Sequence, residues 1–270
     1  MPGIAQRTTT ISGRRIAWRE ATPPAGARPT LYVHGVPTSG ADWIPFLRRT
    51  GGIAPDQPGF GGSDALPERG MHAQADALGA LLDVLDPGPV NLVVHDWGAI
   101  GLLWALRDPQ RIARLVVMNA VPLTAGYRWH PMARLWRRRL VGEAMMALPG
   151  PATAWLARHR TPLTRSPVPA ELSGEIANGF ARHTGRTVLG IYRSADPDRL
   201  AEAGRGLDAF AGRALVVWGT DDGYIPTRFA DAFATAIGGA TPVVRIDAGH
   251  WPWTERPETI DVVARFLLEG

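Results

Sequence analysis

Six short runs of the chain are apolar and largely β-branched: residues 30–33, 52–55, 91–95, 115–119, 214–218 and 243–247. A strand with one face in water alternates apolar and polar residues, so a run without alternation is buried on both faces. Between these runs lie segments of helical length and pattern, at residues 72–85, 97–106, 227–237 and 257–268. Strands buried on both faces and separated by helices require a parallel sheet joined by right-handed crossovers. The pattern predicts an α/β fold with a mostly parallel, doubly wound sheet. Ahead of it, residues 8–20 alternate around Ser12-Gly13 as a hairpin does.

One interval breaks the rhythm. From residue 120 to residue 213 there is no buried strand pattern, only helical segments punctuated by prolines and Gly185. It is too long for a plain crossover and is expected to fold as a unit of its own. The predicted organisation is a core in two parts, residues 1–120 and 206–270, with a helical cap at residues 121–205 over the carboxyl edge of the sheet. A chain of 270 residues has ample length for this.

Composition narrows the chemistry. With no cysteine, disulfides, thiolate metal sites and a cysteine nucleophile are excluded. All 29 basic residues are Arg, whose high pKa raises the isoelectric point without creating a basic face. The densest run, Arg134 with Arg137, Arg138 and Arg139, is interleaved with Leu135 and Trp136 as on one side of an amphipathic helix. No nucleic acid partner is expected. The first ten residues lack an apolar leader, and the longest apolar stretch, residues 99–106, is too short to span a bilayer. A cytoplasmic protein with no membrane partner is the expectation, and oligomeric state stays open.

In open parallel sheets, functional groups lie beyond the carboxyl ends of the strands. After residues 91–95 comes Asp96-Trp97-Gly98-Ala99, a strand turning straight into a helix with small residues beyond the turn. Such an elbow lifts its apex side chain, Asp96, into the site. Alone, Asp96 also reads as a helix N-cap. Two further strand ends favour the catalytic reading: one runs into Gly219-Thr220-Asp221-Asp222, the other into Asp247-Ala248-Gly249-His250. Carboxylate, carboxylate and His in this order, each at a strand end, match one chain order of nucleophile, acid and base. Asp221 and Asp222 compete for the acid. The loop at residues 59–62 invites a dinucleotide reading, but Asp64 stands where the third glycine is needed.

Taken together, His34-Gly35-Val36-Pro37, the stretch from Pro55 to Asp64, His95-Asp96-Trp97-Gly98, Gly219-x-x-Asp222 and Gly249-His250 resemble the α/β-hydrolase superfamily over nearly the whole chain. The elbow resembles the branch with an aspartate nucleophile, the epoxide hydrolases and haloalkane dehalogenases. That resemblance implies Asp96 as nucleophile, His250 as base and Asp222 as its acid, with the backbone N–H groups of Val36 and Trp97 as oxyanion hole. It implies a covalent alkyl ester cleaved by water, with no metal and no cofactor. A serine esterase is disfavoured because no Ser stands at the elbow.

The two activities differ in what stabilises the leaving atom. An epoxide oxygen needs an acidic O–H, and Tyr192 in Gly190-Ile191-Tyr192-Arg193 resembles the second cap tyrosine of epoxide hydrolases; Tyr127 is the weaker candidate for the first. A halide needs N–H donors. Trp97 supplies one indole, and Leu92 to Gly98 resembles dehalogenase elbows, but Val36 stands where many dehalogenases carry Asn and has no donor. A cap tryptophan, Trp129, Trp136 or Trp155, would have to replace it. Epoxide hydrolysis of a small hydrophobic substrate to a diol is favoured, with haloalkane dehalogenation as the alternative and a small-ligand binding protein as a third. Of the remaining histidines, His34 and His95 are expected to be structural, His72 and His183 to lie at the surface or a helix end, and His130 and His159 to be candidates for lining the cavity.

Overall fold

The computed structural model describes residues 3–148, 150–161, 166–170, 172–174, 184–238 and 240–269. Among them eight strands form one sheet: β1 (Ala5–Ile11), β2 (Arg14–Ala21), β3 (Thr30–Val33), β4 (Gly52–Pro55), β5 (Val90–Asp96), β6 (Ile112–Ala120), β7 (Arg213–Gly219) and β8 (Val243–Ile246). Their spatial order is β1-β2-β4-β3-β5-β6-β7-β8. Strands β1, β2 and β4 pair antiparallel, and every pair from β4 to β8 is parallel. The hairpin turns at Ser12 and Gly13, as the alternation predicts, with Ile11 opposite Arg14.

Five of the six apolar runs become the inner strands β4, β3, β5, β6 and β7, whereas the run expected at residues 243–247 forms β8 at the sheet edge, where no residue is buried. Every residue of β3 and β5 is buried. One face is covered by α2 (Met71–Leu85), α3 (Ile100–Ala105) and α9 (Arg228–Ile237), whose Leu78, Leu82, Leu102, Phe229 and Phe233 share a core with Leu92 and Val94 of β5. The other face is covered by α1 (Ile44–Thr50), α10 (Pro252–Glu255) and α11 (Glu258–Leu268), where Phe46, Trp253 and Phe266 pack with Val93 and Val217. Alternate residues of one strand thus feed opposite cores, as the period of two requires. The sheet is doubly wound. Helix α1 is short and has no marked periodicity, so the sequence pattern does not signal it. The segment expected as one helix over residues 97–106 divides into a 3-10 turn, Trp97–Ala99, followed by α3.

Between β6 and β7 the chain forms α4 (Pro131–Arg137), α5 (Val141–Met146), α6 (Gly150–Arg158), α7 (Thr184–Ser194) and α8 (Pro197–Ala203). Residues 149, 162–165, 171 and 175–183 of the interval expected as a helical cap lie outside the described residues. The Trp129 indole donates to the Ala195 carbonyl at 3.0 Å, and Arg137 donates to the carbonyls of Ala195 and Tyr192. These bonds latch α4 to the end of α7. No described helix is long and apolar enough to cross a membrane.

Candidate active site

Strand β5 ends at Asp96, where φ is 50° and ψ −123°. A non-glycine residue in this region is strained and persists only where its surroundings hold it. Two close approaches show why the neighbours are small. A Cβ on Gly98 would lie 2.1 Å from the Val33 carbonyl oxygen, and one on Gly35 would lie 2.5 Å from the Asp96 Cβ. The elbow therefore presses against the end of β3 and its following loop. The Val36 N–H donates to Asp96 Oδ1 at 2.8 Å.

The other carboxylate oxygen faces His250, with Nε2 of the ring 3.4 Å from Asp96 Oδ2. On the far side of the ring, Nδ1–H donates to Asp222 Oδ2 at 2.7 Å. Asp222 is held in turn by Asn119 Nδ2 at 2.7 Å and by the backbone N–H groups of Tyr224 and Ile225 at 2.7 and 3.0 Å. Its rival Asp221 lies at the surface, 73% exposed, facing Arg160. The chain therefore brings Asp96, His250 and Asp222 into one line.

Burial opposes every charge in this line, and the partners reverse it. Burial alone lowers the His250 pKa, but the charge and hydrogen bond of Asp222, joined by Asp96, lift it to about 10. Burial raises both carboxyls, and bonding and attraction to His250 hold Asp96 and Asp222 below the ordinary carboxylate value. His95, packed 4.7 Å from the His250 ring, is pushed down to about 3 by burial and by that neighbour. It stays neutral and bonds the His250 carbonyl through Nε2 at 2.8 Å.

Over Asp96 lies a cavity of about 100 Å³. The sheet side contributes Val36, Asp96, His250 and Trp251; the insertion contributes His130, Met132, Trp136, Met145, Met146, Leu156 and Tyr192. Burial first, then the Asp96 charge, raises the Tyr192 pKa well above its ordinary value, so the phenol keeps its proton. Trp97 is buried behind this wall, stacked on Trp129 at 5.5 Å and edge-on to Tyr192 at 5.2 Å. Its indole N–H makes no hydrogen bond of normal geometry, though it lies near enough to favour the ionised form of the Tyr192 phenol. Its backbone N–H opens the 3-10 turn directly after Asp96.

Several sequence expectations are placed differently. Tyr192 and Trp136 line the cavity, whereas Tyr127 and Trp129 sit outside its lining. The Trp129 indole is already committed to Ala195, and Tyr127 packs between Trp129 and Phe229 with its hydroxyl unbonded. Trp155 is a correction. It is 58% exposed and stacks on His159. Thr153, Leu156 and Ala157 turn one side of α6 to the cavity, and Trp155, on the opposite side of the helix, points away from it. His159 goes outward with it, while His130 faces the cavity. His72 is exposed, and His183 lies outside the described residues. His34 is structural, bonding the Gly35 carbonyl through Nδ1 and accepting the Gln57 N–H at Nε2.

Asn119 is the residue that sequence reasoning missed. At φ 38° at the end of β6, it donates to Asp222 and accepts the Gly219 N–H at 2.8 Å, tying Asp222 to the ends of β6 and β7. Its only signal was a polar residue closing an apolar strand.

A helical insertion over a doubly wound sheet, with an elbow carboxylate and a strand-end His and Asp, defines a hydrolase scaffold. The chain belongs to the α/β-hydrolase fold family, whose model matches residues 29–257. It is 40% identical over 124 residues to a haloalkane dehalogenase of Sphingobium indicum, a match spanning 42% of this chain and 41% of that enzyme. With epoxide hydrolase A of Mycobacterium tuberculosis it shares 28% identity in an alignment covering all of this chain and 99% of that one. The solved structure of haloalkane dehalogenase DbeA from Bradyrhizobium elkani superposes with a TM-score of 0.81 at 25% identity, covering 98% of both chains.

Proposed function

We propose that this protein hydrolyses epoxides of small hydrophobic molecules to vicinal diols through an ester on Asp96. The observation that carries this reading is the pairing of Asp96 and Tyr192 across one apolar cavity, a carboxylate from the sheet and a protonated phenol from the helical cap. Asp96 Oδ2 attacks an epoxide carbon, and the C–O electron pair leaves with the ring oxygen, which takes a proton from Tyr192. Asp96 Oδ1 then becomes the carbonyl oxygen of the ester, already held by the Val36 N–H. His250, oriented by Asp222, removes a proton from water, and the water attacks the Asp96 carboxyl carbon. The Val36 and Trp97 N–H groups bear the oxyanion, and its collapse releases the diol. The steps require no cofactor.

Replacing Tyr192 tests this. Tyr192→Phe removes one donor to the alkoxide, worth on the order of 2 to 4 kcal/mol, or roughly thirty- to several-hundredfold in alkylation rate. Ester hydrolysis should hardly change. Rapid-quench mass spectrometry with styrene oxide resolves the two steps, and alkylation within about twofold of the parent contradicts the role.

Haloalkane dehalogenation is the second reading, favoured by the unbonded indole N–H of Trp97. Against it, Val36 has no side-chain donor, Trp129 is committed to Ala195 and Trp155 faces solvent, leaving Trp136 as the cap indole on the cavity wall. Bromide release from 1-bromoalkanes that is abolished in Trp97→Phe, together with full epoxide turnover in Tyr192→Phe, selects this reading.

A further inference from the structure

We infer that the turn between α4 and α5 is a docking tip for an anionic lipid surface, with Leu140 entering the headgroup layer and Arg134, Arg138 and Arg139 meeting the charged headgroups. The sequence presents these arginines as one side of an amphipathic helix, but the fold divides the run. Helix α4 stops at Arg137, whose guanidinium turns inward to Asp196 and to carbonyls at the end of α7. Arg138, Arg139 and Leu140 lie in the turn beyond the helix, and Arg134 stands one helical turn before Arg138. All three remaining arginines are exposed, and none pairs with a carboxylate among the described residues.

Leu140 is the unusual residue. It is 83% exposed, with φ at 67° and ψ at −45°. A leucine at positive φ is strained, and one facing water gains nothing from burial to offset the strain. The turn is nevertheless firmly built. The Gly142 N–H donates to the Arg138 carbonyl at 2.9 Å, and Arg193 of α7 donates to the same carbonyl at 3.1 Å. Arg193 also pairs with Glu143 at 2.6 Å, so the acidic side chain nearest the tip in sequence is already neutralised. A Cβ on Gly142 would lie 2.3 Å from the Trp136 carbonyl oxygen, so α4 and α5 close tightly behind the tip.

Charge and shape select the partner. A stable protein interface needs about 800 Å² on each side, far more than a single turn presents. A lipid surface needs no matching shape: it takes an apolar side chain below its headgroups and attracts arginine to anionic ones. Among the described residues, the large exposed apolar side chains gather on the insertion, with Leu140, Val141, Leu148 and Trp155 there against Val84 and Leu268 elsewhere. Helices α4 and α5 also supply Trp136, Met145 and Met146 to the cavity wall, so the tip joins two helices that bound the cavity. An apolar molecule dissolved in lipid would meet that wall at the surface that holds it. The inference stands for either leaving group. No described helix crosses a membrane, and resting against one requires none.

Flotation with vesicles of phosphatidylcholine, with and without phosphatidylserine, tests the tip. The parent is expected to float with the mixed vesicles and not with phosphatidylcholine alone, and high salt should release it. Leu140→Asn introduces a residue that tolerates positive φ, so its urea midpoint should equal or exceed the parent's while its vesicle affinity falls on the order of tenfold. Arg138→Gln and Arg139→Gln should each weaken binding about fivefold. Val84→Asn, at an exposed apolar position on α2, should leave it unchanged. A parent that does not float with mixed vesicles at low salt overturns the inference, as does an affinity that Leu140→Asn leaves unaltered. A much lower urea midpoint in the Asn variant, with binding lost only there, assigns Leu140 to structure and overturns it too. Competition by soluble polyglutamate that is blind to Leu140 marks an acidic protein partner, and a dimer that Leu140→Asn dissociates, without vesicle binding, marks a contact between copies; either result overturns the lipid assignment.

Discussion

His250 sits between two carboxylates, and this has a consequence for the order of events. With Asp96 and Asp222 both ionised, the ring is protonated up to about pH 10 and is no base at neutral pH. In the proposed cycle, forming an ester at Asp96 would remove one of the two charges that raise it, so the ring would become a base when one is needed. Alkylation is therefore expected to be flat with pH across the neutral range. Ester hydrolysis should climb with pH through an apparent pKa below 10, and single-turnover rates at several pH values separate the two. A second prediction concerns Asn119, whose replacement by Ala leaves the Gly219 N–H unbonded and takes one donor from Asp222. A loss of about 1 to 3 kcal/mol in unfolding stability is expected, with slowed ester hydrolysis, measured by urea titration and single-turnover kinetics. Asp96, Asp222 and His250 were legible in the sequence because each follows a strand end in a recognisable order. Asn119 was not, since its role exists only when β6 and β7 lie side by side.

At the level of elements, the elbow depends on close packing between β5 and β3. Gly98→Ala would drive a methyl to 2.1 Å from the Val33 carbonyl oxygen. The backbone must shift, at a cost of about 1 to 3 kcal/mol or more, and Asp96 moves with it. A lower urea midpoint together with loss of adduct formation is the expected result. The latch between α4 and α7 is milder: Trp129→Phe removes one buried bond but leaves Arg137 on Ala195, so about 1 kcal/mol is expected by the same titration. Sequence periodicity marked the inner strands well, because burial on both faces leaves an apolar run, but the run of β8 reads the same although that strand lies at the edge with no residue buried. It marked the insertion only as helical. Which side of α6 meets the sheet depends on docking, so Trp155 read as a cavity residue although it faces solvent, and His130 could be recognised only as a candidate.

Across the whole molecule, the sheet separates two cores and brings the ends of β5, β7 and β8 to a single edge beneath the insertion, so the site and the fold's stability share ionisable groups. The folded His250 pKa, about 10, lies above its unfolded value of 6.5. Its contribution to stability is fully present below about pH 6.5 and is lost as pH rises through about 10. Unfolding free energies from urea titrations at pH 6 and pH 10 should show this decline, and His250→Gln should flatten it. The central claim, that the whole catalytic cycle passes through an ester on Asp96, is tested most directly by one turnover of an epoxide in ¹⁸O-labelled water. Mass spectrometry of the Asp96 peptide is predicted to show label entering the carboxylate while the first diol released carries unlabelled oxygen from the enzyme. Label appearing in that first diol, with none in the Asp96 peptide, would contradict it.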